Sequence, residues 1–212
     1  MLNVIEQFKS IQGESTYAGV LCSFVRLEGC NLSCTYCDTA YAQSGGVSMS
    51  TNEIISVVEA HRCSVVEITG GEPLMQDDTA VLCRALLDKN YTVLVETNGS
   101  RDIQTLPDGC VRIVDVKCPG SGMADSFLES NIAALRSADE LKFVISHAED
   151  FAWALEFVTR RMLHKRVTVI FSPVTGKLAS KDLAQWIIDA SAPVRLGLQL
   201  HTFIWGCQTK GR

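Results

Sequence analysis

Three cysteines, Cys30, Cys34 and Cys37, fall within eight positions, separated by three residues and then by two. One loop can therefore bring three thiolates to a single inorganic centre. A structural zinc ion takes four ligands, and a cubane iron–sulfur cluster in a simple electron carrier is held by four thiolates. With three, one iron keeps an open position, a handicap for storing electrons but a place for a substrate or cofactor to bind. The rival reading is a zinc ion completed by a remote Cys or His. His61, His147, His164 and His201 are scattered, and none has a second His at ligand spacing.

Other residues carry weaker chemistry of their own. Gly70-Gly71-Glu72-Pro73 follows a short β-rich run; its glycines admit close backbone approach to a ligand, and Glu72 offers an acceptor for an ammonium group. Ser10-Ile11-Gln12-Gly13-Glu14-Ser15 places polar groups around a glycine, as a binding turn would. Arg26 presents a planar fork suited to a carboxylate. Thr39 and Asp38 offer oxygen atoms beside the cysteine loop.

The elements that must position these groups alternate along the chain. Strands are expected at 21–27, 65–69, 92–96, 112–116, 141–145, 167–171 and 194–200. Ser50-Thr51-Asn52-Glu53 has capping-box form and opens a helix with Ile54, Val57 and Val58 inward. A second helix begins at Asp77 or Asp78 with Val81, Leu82, Ala85 and Leu86 inward, and a weak one spans 132–136. Phe151, Leu155, Val158 and Met162 mark an amphipathic helix, and Leu183, Trp186 and Ile187 another. Alternating strands and helices imply an α/β fold on a mainly parallel sheet. About six or seven units fall short of the eight of a full barrel, so a partial TIM-type barrel with helices outside is expected, with a doubly wound sheet as the competitor. In either case ligands gather at the carboxyl ends of the strands.

Composition narrows the classes. The 212 residues suit one domain spanning 1–212, 47% of them apolar, with a net charge of −5. That balance argues against a broad nucleic-acid-binding face. No apolar run nears the roughly 20 residues of a membrane span, and residues 1–6 lack the basic and apolar regions of a signal peptide. A cytoplasmic protein is expected. Nine cysteines, an odd number, suit reduced thiols better than a disulfide framework. Cys22, Cys63, Cys83, Cys110, Cys118 and Cys207 read as small buried hydrophobes.

The Cys-x3-Cys-x2-Cys spacing, with Tyr36 just before the third cysteine, resembles the signature of the radical S-adenosylmethionine superfamily. That resemblance implies a [4Fe-4S] cluster on Cys30, Cys34 and Cys37, whose open iron is chelated by S-adenosylmethionine. It also implies contact between Tyr36 and the adenine, and between the Gly70-Gly71-Glu72 segment and the amino group. Taken with Gln12-Gly13-Glu14, Phe24-Val25-Arg26-Leu27, Cys37-Asp38-Thr39, Glu96-Thr97-Asn98-Gly99, Asp115-x-Lys117-x-Pro119 and Gln199-x-His201, the chain resembles the 7-carboxy-7-deazaguanine synthases over nearly its whole length.

The narrower resemblance implies a lyase of queuosine and 7-deazapurine biosynthesis, acting on 6-carboxy-5,6,7,8-tetrahydropterin and releasing ammonia. It implies Mg2+ on Thr39, and S-adenosylmethionine contacts from Cys37, Asp38, Gly99, Glu140, Leu141, Lys142, Ser172, Pro173, Val174 and Thr175. Substrate contacts are implied for Ile11, Gln12, Gly13, Glu14, Arg26, Thr97, Lys117, Gln199 and His201. Partners implied are the pterin, an electron donor such as flavodoxin or ferredoxin, and a second copy in a homodimer, with no nucleic acid and no membrane. The chain departs from the family at Thr202, where Lys is usual, and in a tail, 201–212, that runs on past the usual end. A glycyl-radical activase shares the cysteine spacing but has no need of Gln12-Gly13-Glu14 or Thr39. A non-catalytic zinc or iron–sulfur module is the third class.

Overall fold

In the computed structural model, which describes residues 1–206 and 211, one nine-stranded sheet organises the chain. Its strands are β1 (Leu2–Ile11), β2 (Leu21–Leu27), β3 (Val47–Met49), β4 (Val65–Gly70), β5 (Thr92–Thr97), β6 (Val111–Asp115), β7 (Glu140–Ile145), β8 (Thr168–Pro173) and β9 (Arg195–Leu196). The helices are α1 (Thr51–His61), α2 (Thr79–Asp88), α3 (Asn131–Ala134), α4 (Ala148–Arg160), α5 (Ser180–Asp189) and α6 (Leu200–Trp205). The spatial order is β3-β1-β2-β4-β5-β6-β7-β8-β9. From β2 onward every pairing is parallel, while β1 runs antiparallel to both β2 and β3.

The parallel strands follow one another across the sheet without reversal, so the switch point that defines a doubly wound sheet is absent from the described order. Burial gives the curvature. Val25, Leu27, Val66, Ile68, Val93 and Val95 pack under α1 and α2. Leu141, Phe143, Ile145, Val169 and Phe171 pack under α4 and α5. Their alternates on the opposite face, Cys22, Phe24, Val65, Leu94 and Ile113, form a third cluster with no helix over it. Side chains alternate across a strand, so the helix-free face closes on itself. This is an open, partial barrel.

Several boundaries differ from the sequence expectation. The strand expected at 194–200 shrinks to two residues, because the chain turns at Gly197–Gln199 into α6. Strands β1 and β3 were not expected. The α1 stripe is Ile54, Ile55 and Val58, with Val57 only half-buried. Val81 is exposed, and Met162 lies past the end of α4 in a left-handed turn, φ 53°, also exposed. The capping box at Ser50 and Glu53 forms as the pattern predicts.

Candidate active site

The carboxyl ends of β2 and β4–β8 open on a cavity of about 670 Å³. It gathers Cys30, Cys34, Tyr36, Cys37, Asp38 and Thr39 from the loop after β2, and Gly70 and Gly71 from the end of β4. Ile11, Gln12, Gly13, Glu14, Arg26, Thr97, Lys117, Lys142, Pro173, Val174, Thr175, Gln199 and His201 also line it.

The cysteine loop is held from several directions. Gly71 N donates to Leu27 O at 3.2 Å and Glu72 N to Gly29 O at 2.7 Å. Cys30 N donates to Gln43 Oε1 at 3.2 Å, and Thr35 Oγ1 to Gly120 O at 2.8 Å. A Cβ on Gly71 would lie 2.0 Å from Gly29 O, and one on Gly70 2.3 Å from Leu27 O. These glycines therefore admit the backbone at the end of β2 and the start of the cysteine loop, while also lining the cavity. Glu72 follows directly. It is fully buried, with its carboxylate taken by Leu74 N at 2.9 Å, Thr97 Oγ1 at 2.8 Å and Asn98 N. Two of these partners, Thr97 and Asn98, line the cavity, as do Gly70 and Gly71.

The sulfur environment fits a cluster. Leu32 N donates to Cys30 Sγ at 3.4 Å, and Asn98 Nδ2 approaches it at 3.9 Å. Burial pushes the Cys34 thiol up, and the nearby Lys117 ammonium opposes that shift. Among the described residues no three Cys, His, Asp or Glu converge as a single metal ion requires. Three thiols, one of them with N–H donors, and no fourth ligand among the described residues suit a multi-iron cluster better than one zinc ion. Cys22, Cys63, Cys83, Cys110 and Cys118 are buried; Cys207 lies outside the described residues.

Beneath the loop, the inward positions of the strands carry charge where an apolar layer would be expected. Lys142 Nζ on β7 lies 2.6 Å from Glu14 Oε2, bonds Glu96 of β5, and is 3.5 Å from Asp115 Oδ2 of β6. Lys117 pairs with Asp115 at 2.9 Å. Burial alone would raise all three carboxyls. The lysines hold Glu14 and Asp115 below their usual range, whereas Glu96 stays above it. Glu67, inward on β4, is pushed well up by burial and then by Glu96 and Glu14. Gln12 is 3% exposed, its Nε2 bonded to Glu67 and its Oε1 accepting from Glu14 N at 3.0 Å. Its amide thus bonds within the protein while the residue lines the cavity.

Arg26 is braced by Glu6 and Tyr41, neither of which was expected at the site. Its Nε donates to Glu6 Oε1 at 2.8 Å, and Tyr41 OH donates to the same oxygen at 2.7 Å. The guanidinium also lies 5.9 Å from the centre of the Tyr41 ring.

The remaining expected residues divide. Tyr36 lies on the cavity wall, its hydroxyl donating to Val144 O at 3.2 Å and Lys177 over its ring at 5.6 Å. Gln199 bridges Thr175 Oγ1 at 2.6 Å and Glu14 Oε1 at 2.8 Å, and Leu200 N donates to Gly13 O at 2.9 Å. The end of the chain thereby folds over the turn after β1. Any Cβ on Gly13 would meet His201 Nδ1 at 2.4 Å. Thr97 lines the cavity, although its hydroxyl is used by Glu72. Four residues stand behind the wall rather than on it. Leu141 points outward into the core under α4, and Glu140 accepts from Thr16 N at 3.1 Å. Ser172 is buried against β9 at Gly197, and Gly99 packs on Val114 and Phe127.

A partial barrel with three thiols on the loop after its first parallel strand has the form of a radical S-adenosylmethionine protein, and the Radical SAM superfamily model matches residues 24–115. The fold is similar to the crystal structure of QueE from Escherichia coli, with a TM-score of 0.78, 21% identity and 94% of each chain covered. The chain is 44% identical to the 7-carboxy-7-deazaguanine synthase of Koribacter versatilis over a 225-residue alignment, covering 99% of this chain and all of that one. It is 40% identical to the synthase of Chlorobaculum tepidum, covering 99% of this chain and 97% of the relative. This chain belongs to the 7-carboxy-7-deazaguanine synthase family.

Proposed function

We propose that the chain is a radical lyase that converts 6-carboxy-5,6,7,8-tetrahydropterin to 7-carboxy-7-deazaguanine with loss of ammonia. The observation that carries the reading is the joining, in one cavity, of a three-thiol loop to the Arg26 fork and the Glu14–Lys142 floor. A glycyl-radical activase must admit a protein backbone, and the fold of 199–201 over the Gly13 turn leaves a small-molecule site instead.

Cys30, Cys34 and Cys37 would hold a [4Fe-4S] cluster, with Lys117 lending positive charge beside Cys34. Together with bound S-adenosylmethionine, the cluster supplies single-electron chemistry that no side chain here can provide. Tyr36 and the segment 173–175 wall the space beside the loop, while Gly70 and Gly71 offer backbone groups to it. Arg26, fixed by Glu6 and Tyr41, turns its fork toward a carboxylate. Asp38 and Thr39 supply oxygen for a magnesium ion that keeps most of its waters. Thr39→Ala should weaken magnesium stimulation and leave iron content unchanged.

Cys37 is exposed, so the centre would lie near the surface, where a flavodoxin or ferredoxin can deliver an electron. We place the protein in queuosine or 7-deazapurine synthesis, as a cytoplasmic homodimer; among the described residues no helix is long and apolar enough to cross a membrane. The deciding assay is anaerobic, with reductant, S-adenosylmethionine and the carboxytetrahydropterin. Formation of the deazaguanine acid supports the proposal, and an unconsumed pterin with fully reconstituted protein contradicts it.

A further inference from the structure

We infer that Glu67 is a specificity-determining residue, accepting the donor-rich edge of a 2-amino-4-oxopyrimidine ring at the floor of the cavity. The inference rests on the pterin reading above and states which end of the ligand goes down.

Four carboxyls share the floor: Glu14, Glu67, Glu96 and Asp115. Lys142 and Lys117 pair with three of them, and among the described residues Glu67 has no cation partner. Its one described contact is Gln12 Nε2, and Gln12 is itself fixed by Glu14 N. A buried carboxyl with incomplete pairing is costly, so Glu67 needs a reason to be there. Asp115 supplies an independent sign of the same shortage: its Oδ1 is buried and accepts no hydrogen bond. The floor has acceptors to spare and too few donors, which is what a ligand edge with two parallel N–H groups corrects.

The surroundings fit a flat ring with a charged far end. Opposite Glu67 on β2 stands Phe24, whose ring stacks on Phe8 at 4.8 Å and 7°, and both line the cavity. Two residues further along β2, toward the mouth, lies Arg26. A ligand with its donor edge on Glu67 and its carboxylate toward Arg26 satisfies both ends.

The groups that act on Glu67 are Gln12 and Glu14 from the turn after β1, Arg26 from β2, Glu96 from β5 and Lys142 from β7. Burial and the two acids outweigh the two cations, so the Glu67 carboxyl is held well above its usual range, and two N–H donors from a ligand would offset part of that cost.

The test uses the full chain with its cluster reconstituted, anaerobically, with S-adenosylmethionine and no reductant, so that no turnover occurs. It compares 6-carboxytetrahydropterin with its 2-oxo counterpart, in wild type and in Glu67→Gln. Wild type should prefer the 2-amino compound roughly 10- to 100-fold, as for a hydrogen bond to a charged group, and the variant should bind the two about equally. A variant that keeps the preference overturns the inference. If that variant does not fold, Glu67→Asp decides: a clearly smaller preference for the 2-amino compound supports the role, and an unchanged preference overturns it. Wild type binding neither compound would defeat the pterin reading itself, and this inference with it.

Discussion

Lys142 on β7 lies 2.6 Å from Glu14, a residue 128 positions earlier in the chain, and that pair ties the turn after β1 to the far side of the barrel floor. The same ammonium serves Glu96 and Asp115. Its side chain is 6% exposed, so solvent screens little of this.

Lys142→Met should therefore destabilise the fold by about 3–5 kcal/mol at neutral pH, the cost of leaving buried charge without its partner. Chemical denaturation measures it. The sign with pH also follows. Glu14 and Asp115 are held below their ordinary values of 4.5 and 3.8. A carboxyl lowered in the fold contributes stability above its ordinary value and loses it as pH falls through the lowered one. Wild type should weaken as pH drops below about 4, while the variant's deficit shrinks over the same range. A deficit independent of pH would count against the ion-pair account.

Gly71→Ala should damage the cluster loop before it damages ligand contacts. The new Cβ would sit 2.0 Å from Gly29 O, a backbone atom that cannot swing aside. The expected result is lower iron retention with the barrel still folded by circular dichroism. Full iron content in this variant would show that the loop tolerates the shift.

Glu6→Gln should leave Arg26 charged but less firmly aimed, since Glu6 Oε1 takes both the Arg26 and Tyr41 hydrogen bonds. The pterin KM should rise with little change in that for S-adenosylmethionine. Arg26→Ala should raise the same KM further, by roughly 10- to 100-fold for a lost charged hydrogen bond. Equal effects on both KM values would indicate general damage instead.

Strands β2 and β4–β8 were legible because they are buried on both faces over most of their length and read as largely apolar runs. Strand β1 was not, because Glu6, Gln7 and Lys9 break any apolar pattern on a strand whose middle is only half-buried. The cysteine loop was legible from spacing alone. The floor was legible only in part: Glu14 and Lys142 were expected by resemblance, whereas Glu67 and Glu96 each stand alone in an apolar strand, and only the curl of the sheet brings them together. A lone charge inside a buried parallel strand was the available signal. Glu6 and Tyr41 act through Arg26, and nothing in their spacing points to it.

The most direct test of the central claim is iron, sulfide and zinc analysis of anaerobically reconstituted protein, wild type beside Cys34→Ala and Cys118→Ala. Four irons and four sulfides per chain are predicted for wild type and Cys118→Ala, as a cubane requires, with the cluster lost in Cys34→Ala. Stoichiometric zinc without iron in wild type, or a full cluster in Cys34→Ala, would contradict a centre built on these three thiolates.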